Sequence, residues 1–553
     1  KEEKYLVLDT KFFDMKFKYK LLSEFDNLDE DIGGVLINSE NFGALNLLQD
    51  RYKEQVKTVY IDPPYNTGSD GFLYNDTYQH SSWLSFMYDR LAYAKELMSN
   101  KGVIFSSIDD NELKNFQDLY RLTNFNFIAT LPTIMNLKGN NDEYAFAGTH
   151  EYTLAVAKEK SENIFNHFSV SDDEIQEWKE DEHGFYKKGA NLKSTGGNAP
   201  REKRPNLFYP IFVNSENEVY VTDNDEPLNS NDTKLLPITN EQEMSWRWQK
   251  SKVNAETFNI ILVGEDTECS IYKKQRPQLG DMPSKKPKSI FYKPEYSSGN
   301  GTAEQKAIFG DKIFANPKPL VLINDFIQIG SNKNSTILDY FAGSGTTGHG
   351  VINLNREDNG KRKYILVEMG EYFESITKPR IQKVIYSDSW KDGKPTTKNG
   401  ISQIFKYFKL ESYEDTLNNL EFKKTEEQQK TLDFHPEAKE DYILNYSLDV
   451  ESQGSLLNID TFSTPFDYKL KIATSSVGET KDTNIDLVET FNYLLGLVVK
   501  RIELLKGYLV VEGQNLKKEK ILIIWRDGQS SDELNEFFKK MDWSVYDREF
   551  DTI

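Results

Sequence analysis

The sequence predicts an α/β protein built on a parallel sheet, interrupted by a large insertion and followed by a C-terminal α/β domain. Three observations carry this expectation. Short apolar segments rich in β-branched and aromatic residues alternate with helical patterns; the alternation lapses between about residues 159 and 290; and it resumes with the same character until the composition changes near residue 411. At 553 residues the chain exceeds what one apolar core organises. The expected division is 1–158 and 291–410 as two parts of one α/β domain, 159–290 as the insertion and 411–553 as the C-terminal domain.

Buried strands are expected at 34–38, 57–62, 102–109 and 151–157, joined by helical stretches. Turn signals such as Gly196-Gly197 and Asn198-Ala199-Pro200 then break up short apolar pieces. The α/β pattern returns with an apolar helix around 319–329, a strand at 336–341, a helix from about Thr346 and a strand at 363–368. A Lys/Glu-rich stretch, 422–441, reads as an exposed helix or linker. Beyond it, Leu487, Phe491, Leu494, Leu495, Val498, Ile502 and Leu505 fall on one face of an amphipathic helix, a stripe read as core, with strands expected at 508–512 and 520–525.

Composition narrows the function classes. The absence of an apolar run near 18 residues and of a secretory signal pattern predicts a cytoplasmic protein without membrane contact. Cys269, the sole cysteine, excludes a disulfide framework and a zinc site of cysteine pairs, and no metal is expected. The formal net charge of −20 by itself speaks against a nucleic-acid partner, because phosphate neutralisation needs Lys and Arg. Locally the balance reverses: Lys187, Lys188, Lys193, Arg201, Lys203 and Arg204 face one acid, Glu202, and Lys273, Lys274, Arg276, Lys285, Lys286 and Lys288 face Asp281. Each stretch alone reads as a solvated loop. Their confinement to one region, with Trp246-Arg247-Trp248 between them, points to a DNA-facing surface.

Two motifs carry chemistry. In the first, the apolar strand Val59-Tyr60-Ile61 runs into Asp62-Pro63-Pro64-Tyr65-Asn66, and strand ends are where sites form in open α/β sheets. An aromatic amine is a poor nucleophile because its lone pair is delocalised into the ring, until acceptors take its hydrogens. Asp62 offers one acceptor and the Pro63 carbonyl another. The two prolines fix φ and hold both acceptors aimed. Tyr65 offers a flat face to a base drawn out of a duplex. Alone, the segment also reads as a strand ending in a proline turn.

The second motif is Ile337-Leu338-Asp339-Tyr340-Phe341-Ala342-Gly343-Ser344-Gly345-Thr346-Thr347, a strand entering a glycine turn that opens a helix. Its glycines let backbone N–H groups approach a ligand. Glu368, at the end of the next strand, is placed to accept from ribose hydroxyls, which predicts a nucleoside-bearing cofactor. Gly343, Gly345 and Gly348 also match the dinucleotide fingerprint, so a nicotinamide- or flavin-dependent oxidoreductase is a rival reading. Against it, hydride transfer has no use for an Asp-Pro-Pro-Tyr turn, and the glycines follow four earlier strands instead of opening the fold.

The order of these motifs resembles the β arrangement of amino-methyltransferases, with the target-recognition region inserted between the Asp-Pro-Pro-Tyr and Phe-x-Gly-x-Gly motifs. More closely, Asp62-Pro-Pro-Tyr-Asn-Thr-Gly68, His80-Ser-Ser-Trp-Leu-Ser-Phe-Met87, Gly102-Val-Ile-Phe-Ser-Ser-Ile-Asp-Asp-Asn-Glu112 and Lys293-Pro-Glu-Tyr-Ser-Ser298 are similar to the modification subunits of type III restriction-modification systems, over roughly residues 30–410. The resemblance implies a Rossmann-like α/β fold on a mixed, mostly parallel sheet, S-adenosylmethionine as cofactor, and Asp62, Pro63, Pro64 and Tyr65 as the catalytic turn. It implies cofactor contacts from Phe341, Gly343, Gly345, Thr346 and Glu368, from Glu40 and Asn41 after the first strand, and from Lys318 in Asn316-Pro317-Lys318-Pro319. The family often has Asp-Pro-Phe where this chain has Asp339-Tyr340-Phe341.

Asp at the first motif position resembles the N6-adenine class, whereas Ser is usual in N4-cytosine enzymes, which stand as the alternative. C5-cytosine methylation is disfavoured because Cys269 lacks a Pro-Cys context. RNA or protein amines and a catalytically silent DNA-recognition subunit are further alternatives; the basic insertion favours duplex DNA, and intact Asp62 and Tyr65 favour an active enzyme. In the insertion, Lys187, Lys188, Lys193, Arg201, Lys203, Arg204, Arg247, Lys273, Lys274 and Arg276 are the candidate DNA contacts. The resemblance also implies a homodimer and an ATP-dependent restriction subunit as partner.

Overall fold

The computed structural model describes residues 3–67, 78–136, 139, 146–169, 177–264, 269–277, 283–419, 464–474, 479–543 and 549–553. The polar stretch 422–441 lies outside these residues, as does Asp281. The chain packs as two compact units, one made of Lys1–Asn166 with Lys288–Ile553 and the other of His167–Pro287. Among the described residues no helix is long and apolar enough to cross a membrane.

The first unit is organised by an eight-stranded sheet of β1 (Ile32–Asn38), β2 (Val56–Ile61), β3 (Met98–Ile108), β4 (Asn126–Ile134), β5 (His150–Ala157), β6 (Thr336–Asp339), β7 (Lys363–Glu368) and β8 (Ile404–Lys409). Their spatial order is β8-β1-β7-β6-β2-β3-β5-β4. Neighbours from β8 through β3 are parallel, and β5 alone runs antiparallel, to β3 on one side and β4 on the other. Strands covered on both faces read as continuous apolar runs, and Val59, Ile61, Leu36, Ile37, Leu366 and Val367 are fully buried.

Alternation along the strands assigns the two faces. Val59, Ile61 and Ile104 share a core with Trp83, Met87 and Leu91 of α2 (His80–Leu97), which follows α1 (Asn41–Leu47). On the other face, Phe326 of α3 (Leu320–Gly330) stacks on Phe105 and Phe291, each with centroids 4.8 Å away. Helices α4 (Thr346–Asp358) and α5 (Thr377–Tyr386) follow β6 and β7.

Three elements differ from the sequence reading. Both edge strands, β4 and β8, were unforeseen. In β4, Pro132 and a bulge between Phe127 and Ala129 obscure the strand pattern, and an edge position tolerates both. The helix expected to run from Leu487 to Leu505 is instead α6 (Leu487–Leu494) followed by a strand, β9 (Val498–Leu505). Gly496, at φ +60, ends the helix, and Lys506 and Gly507, both at positive φ, close a hairpin onto β10 (Tyr508–Gln514). Once in a hairpin, β-branched Val498, Val499 and Ile502 satisfy strand pairing, and their near-helical spacing carries no weight. β11 (Lys520–Trp525) completes this small sheet, and Leu487, Tyr493, Val499 and Leu509 join the same apolar core as β1 and β2.

The unit His167–Pro287 contains a four-stranded antiparallel sheet of Ile260–Val263, Ser270–Gln275, Gly184–Asn191 and Lys179–Asp181. Its own core gathers Leu192, Ile211, Trp246, Val253 and Ile271. Trp246 is therefore a core residue, its indole N–H donating to the Tyr209 carbonyl at 2.7 Å.

Candidate functional site

β2 and β6, far apart in sequence, pair in parallel with Leu338 opposite Val59, so the Asp-Pro-Pro-Tyr turn and the glycine turn leave the sheet side by side. Between them lies a cavity of about 450 Å³, within the usual range of small-molecule sites. Asp62, Pro63, Pro64, Tyr65, Lys318, Phe341, Gly343 and Thr346 all line it, together with Glu151, Asp339 and Tyr372.

The catalytic-type turn is anchored from below. Fully buried Trp83 donates its indole N–H to the Pro64 carbonyl at 2.9 Å. Asn66, at φ +60, donates to Glu112 Oε1 at 2.7 Å and exchanges two hydrogen bonds with the Tyr78 backbone. Buried Glu112 also meets His80 Nδ1 at 2.6 Å and the Asn115 amide at 2.7 Å. Trp83 and Glu112 lie in segments that carry the family resemblance, but nothing local announces their contacts.

Lys318 sits inside the cavity between two carboxylates. Its ammonium lies 3.2 Å from Asp62 Oδ1 and donates to both Glu151 oxygens, at 2.8 and 2.9 Å, and to the Tyr65 hydroxyl at 2.6 Å. The Tyr65 O–H in turn donates to Glu151 Oε2 at 3.1 Å. Burial disfavours the ammonium, but the Asp62 and Glu151 carboxylates outweigh it and hold the Lys318 pKa above the usual lysine value.

The glycine turn is held open by its surroundings. Gly343 (φ +52) and Gly345 (φ +83) take the left-handed conformation that glycine adopts without strain. Gly343 N–H donates to Glu368 Oε2, and Gly370 N–H to Glu368 Oε1, each at 2.7 Å. Buried Arg380, unremarked in the sequence, donates to the Ser344 and Thr346 hydroxyls at 2.8 Å. Glu368 thus stands behind the turn instead of among the lining residues, and Gly345 serves as the N-cap of α4.

Glu40 and Asn41 also lie off the lining. Glu40 caps α1 through the Phe42 and Gly43 N–H groups and pairs with Arg90. Asn41 donates to the Tyr340 carbonyl at 3.0 Å. Both brace the rim of the sheet from the β1 side.

Asp339 accepts from the Phe341 N–H at 3.1 Å and from the Thr347 hydroxyl, yet burial pushes its carboxyl up to about 7. A folded-state carboxyl pKa raised above its unfolded value favours the protonated native form, so this contribution to stability is present at low pH and declines as pH rises from about 4 through about 7. Asp339→Asn is expected to flatten the pH dependence of Tm, gaining a few degrees relative to wild type at pH 8 but not at pH 5. Thermal melts across that range check it; parallel curves for the two proteins would exclude an ionisable Asp339 as the cause.

In the second unit, Arg201, Lys203, Arg204, Arg247 and Lys188 are exposed and Lys187, Lys193 and Lys273 half-buried. Several are already engaged: Lys193 with the Ile238 carbonyl, Arg201 with Glu243, Lys203 with the Gly197 carbonyl and Arg247 with the Asn191 carbonyl. Arg276 and Lys274 both close on Asp181, whose carboxyl they hold well below the usual range.

A family model described as a DNA methylase matches residues 56–379. The chain is 43% identical over 406 residues to the Mod subunit of the type III restriction-modification enzyme EcoPI of Escherichia phage P1, covering 67% of this chain and 62% of that protein. It is 30% identical over 383 residues to the type II methyltransferase M.KpnI of Klebsiella pneumoniae, covering 66% of this chain and 87% of that protein. A third similarity, 27% over 377 residues, is to the StyLTI Mod subunit of Salmonella typhimurium, with 62% and 53% covered. The chain thus spans about three fifths of the phage P1 subunit's length.

Proposed function

The chain belongs to the DNA methylase family, and on that premise we propose that it transfers a methyl group from S-adenosylmethionine to N6 of adenine in duplex DNA, as the modification subunit of a type III restriction-modification system. The observation that carries this reading is the shared cavity, lined by Asp62 and Tyr65 at one strand end and by Phe341 and Gly343 at the next.

The residues present fit the cofactor. Gly343 is free of a side chain where a Cβ would stand 3.4 Å from the Phe314 ring, and Phe341, Tyr372 and Thr346 line the same space. When bound, S-adenosylmethionine supplies an electrophilic methyl carbon whose bond to sulfur breaks as the bond to nitrogen forms. Asp62 and the Pro63 carbonyl accept hydrogen bonds from the amine, and Asp62 takes the proton that nitrogen sheds. Tyr65 stacks on the extruded base, a contact worth roughly 1–3 kcal/mol in single-strand binders. Phe341, Gly343, Gly345, Thr346 and Glu368 shape the cofactor side, Lys318 lines the cavity between Asp62 and Glu151, and Glu40 and Asn41 brace the rim. Target reading falls to 159–290, where exposed Arg201, Lys203, Arg204 and Arg247 are the foremost DNA contacts. The protein acts as a homodimer in association with a restriction subunit.

Labelled S-adenosylmethionine incubated with the protein and unmethylated genomic DNA is expected to yield N6-methyladenine on nucleoside analysis. N4-methylcytosine would reassign the base. Label absent from DNA despite demonstrated cofactor binding would move the acceptor to RNA or protein.

A further inference from the structure

We infer that Glu151 is a positioning residue for methyl transfer, holding Lys318 and the Tyr65 ring so that one ammonium is shared between two carboxylates and Asp62 keeps acceptor capacity for the incoming amine. The inference rests on the methyl-transfer reading above. It starts from topology: β5 runs antiparallel to β3, so its first residues, His150 and Glu151, lie at the rim where parallel β2 and β6 end. Glu151 thereby enters a site whose Asp62 is supplied by the end of a strand running the opposite way.

The contacts define what Glu151 does. Two of the Lys318 contacts go to its carboxylate, one to the Tyr65 hydroxyl and one to Asp62. Tyr65 closes the ring by donating to the same carboxylate. With both acids ionised, the trio carries a net charge of about −1, which favours the positive charge that moves from sulfur to nitrogen during transfer. With Glu151 neutral, Lys318 is left to Asp62 alone, the trio becomes neutral, and Asp62 is a weaker acceptor for the amine and its departing proton. The Tyr65 hydroxyl then donates to a neutral oxygen, a weaker acceptor than the carboxylate.

The test compares wild type, Glu151→Gln, Glu151→Asp, Lys318→Met and the Glu151→Gln/Lys318→Met double variant of the full chain. Each is measured by single-turnover transfer of labelled methyl to genomic DNA and by equilibrium binding of S-adenosylmethionine. Glu151→Gln is expected to slow transfer on the order of 100-fold, with cofactor affinity nearly unchanged. Glu151→Asp, which keeps the charge, is expected to retain more activity, and the double variant to transfer faster than Glu151→Gln because the ammonium no longer occupies Asp62. A purely structural loss gives no such rescue. Glu151→Gln at the wild-type rate, or a double variant slowed by the product of the two single effects, overturns the inference while leaving the methyl-transfer reading intact. Failure of wild type to label DNA removes that reading itself.

Discussion

Asp62→Ala is expected to lower the single-turnover rate of methyl transfer by at least about 10³-fold while leaving S-adenosylmethionine affinity within a few-fold of wild type, the size of loss usual when a transition-state acceptor or proton acceptor is deleted. The split follows from position. Asp62 closes β2, whereas the glycine turn and its Glu368 brace belong to β6 and β7. Removing the carboxylate also leaves Lys318 paired with Glu151 alone, so the cavity retains a compensated ion pair and the fold is not expected to suffer. Stopped-flow or quenched transfer with pre-bound cofactor measures the rate, and equilibrium dialysis the affinity. Transfer by Asp62→Ala within tenfold of wild type would remove Asp62 from the chemistry.

The second large effect is on cofactor binding. Glu368 accepts from the N–H groups of Gly343 and Gly370 with separate oxygens, so Glu368→Ala releases both sides of the turn that lines the cavity. Leaving these half-buried donors without partners costs at most about 1–3 kcal/mol each, and the expected result is S-adenosylmethionine affinity reduced on the order of 100-fold.

Burial pushes the Glu368 carboxyl up to about 7. The carboxylate that accepts those N–H groups is therefore the majority form only above that pH. Cofactor affinity is expected to weaken as pH falls from 8 to 6, and Glu368→Gln to abolish the dependence. The effect on stability has the opposite sign, because a raised carboxyl pKa favours the protonated native form and its contribution is lost as pH rises from the unfolded value through about 7. Affinity that is flat with pH in wild type would separate Glu368 ionisation from binding.

The sequence by itself determined the elements on which the chemistry rests. The run Val59-Tyr60-Ile61 before Asp62, the strand before Gly343 and the strand ending at Glu368 are legible because a strand buried on both faces must be continuously apolar and must end where polar or glycine residues begin. The motif residues announce themselves by local need: glycine at Gly343 and Gly345 because φ is positive there, and proline at Pro63 and Pro64 because its ring fixes φ beside the Asp62 acceptor.

Edge strands β4 and β8 escaped because half-exposed pairing imposes no comparable pattern, and the stretch from Val498 to Leu505 became a strand because a hairpin with β10 outweighs the helical spacing of its apolar residues. Tertiary structure alone decided that β2 and β6 are neighbours, that an antiparallel β5 delivers Glu151 to their shared rim, and that Trp83, Glu112 and Arg380 brace the two turns. Those contacts join residues tens to hundreds of positions apart. No local propensity encodes them; they follow from strand order and from burying each polar group against a partner.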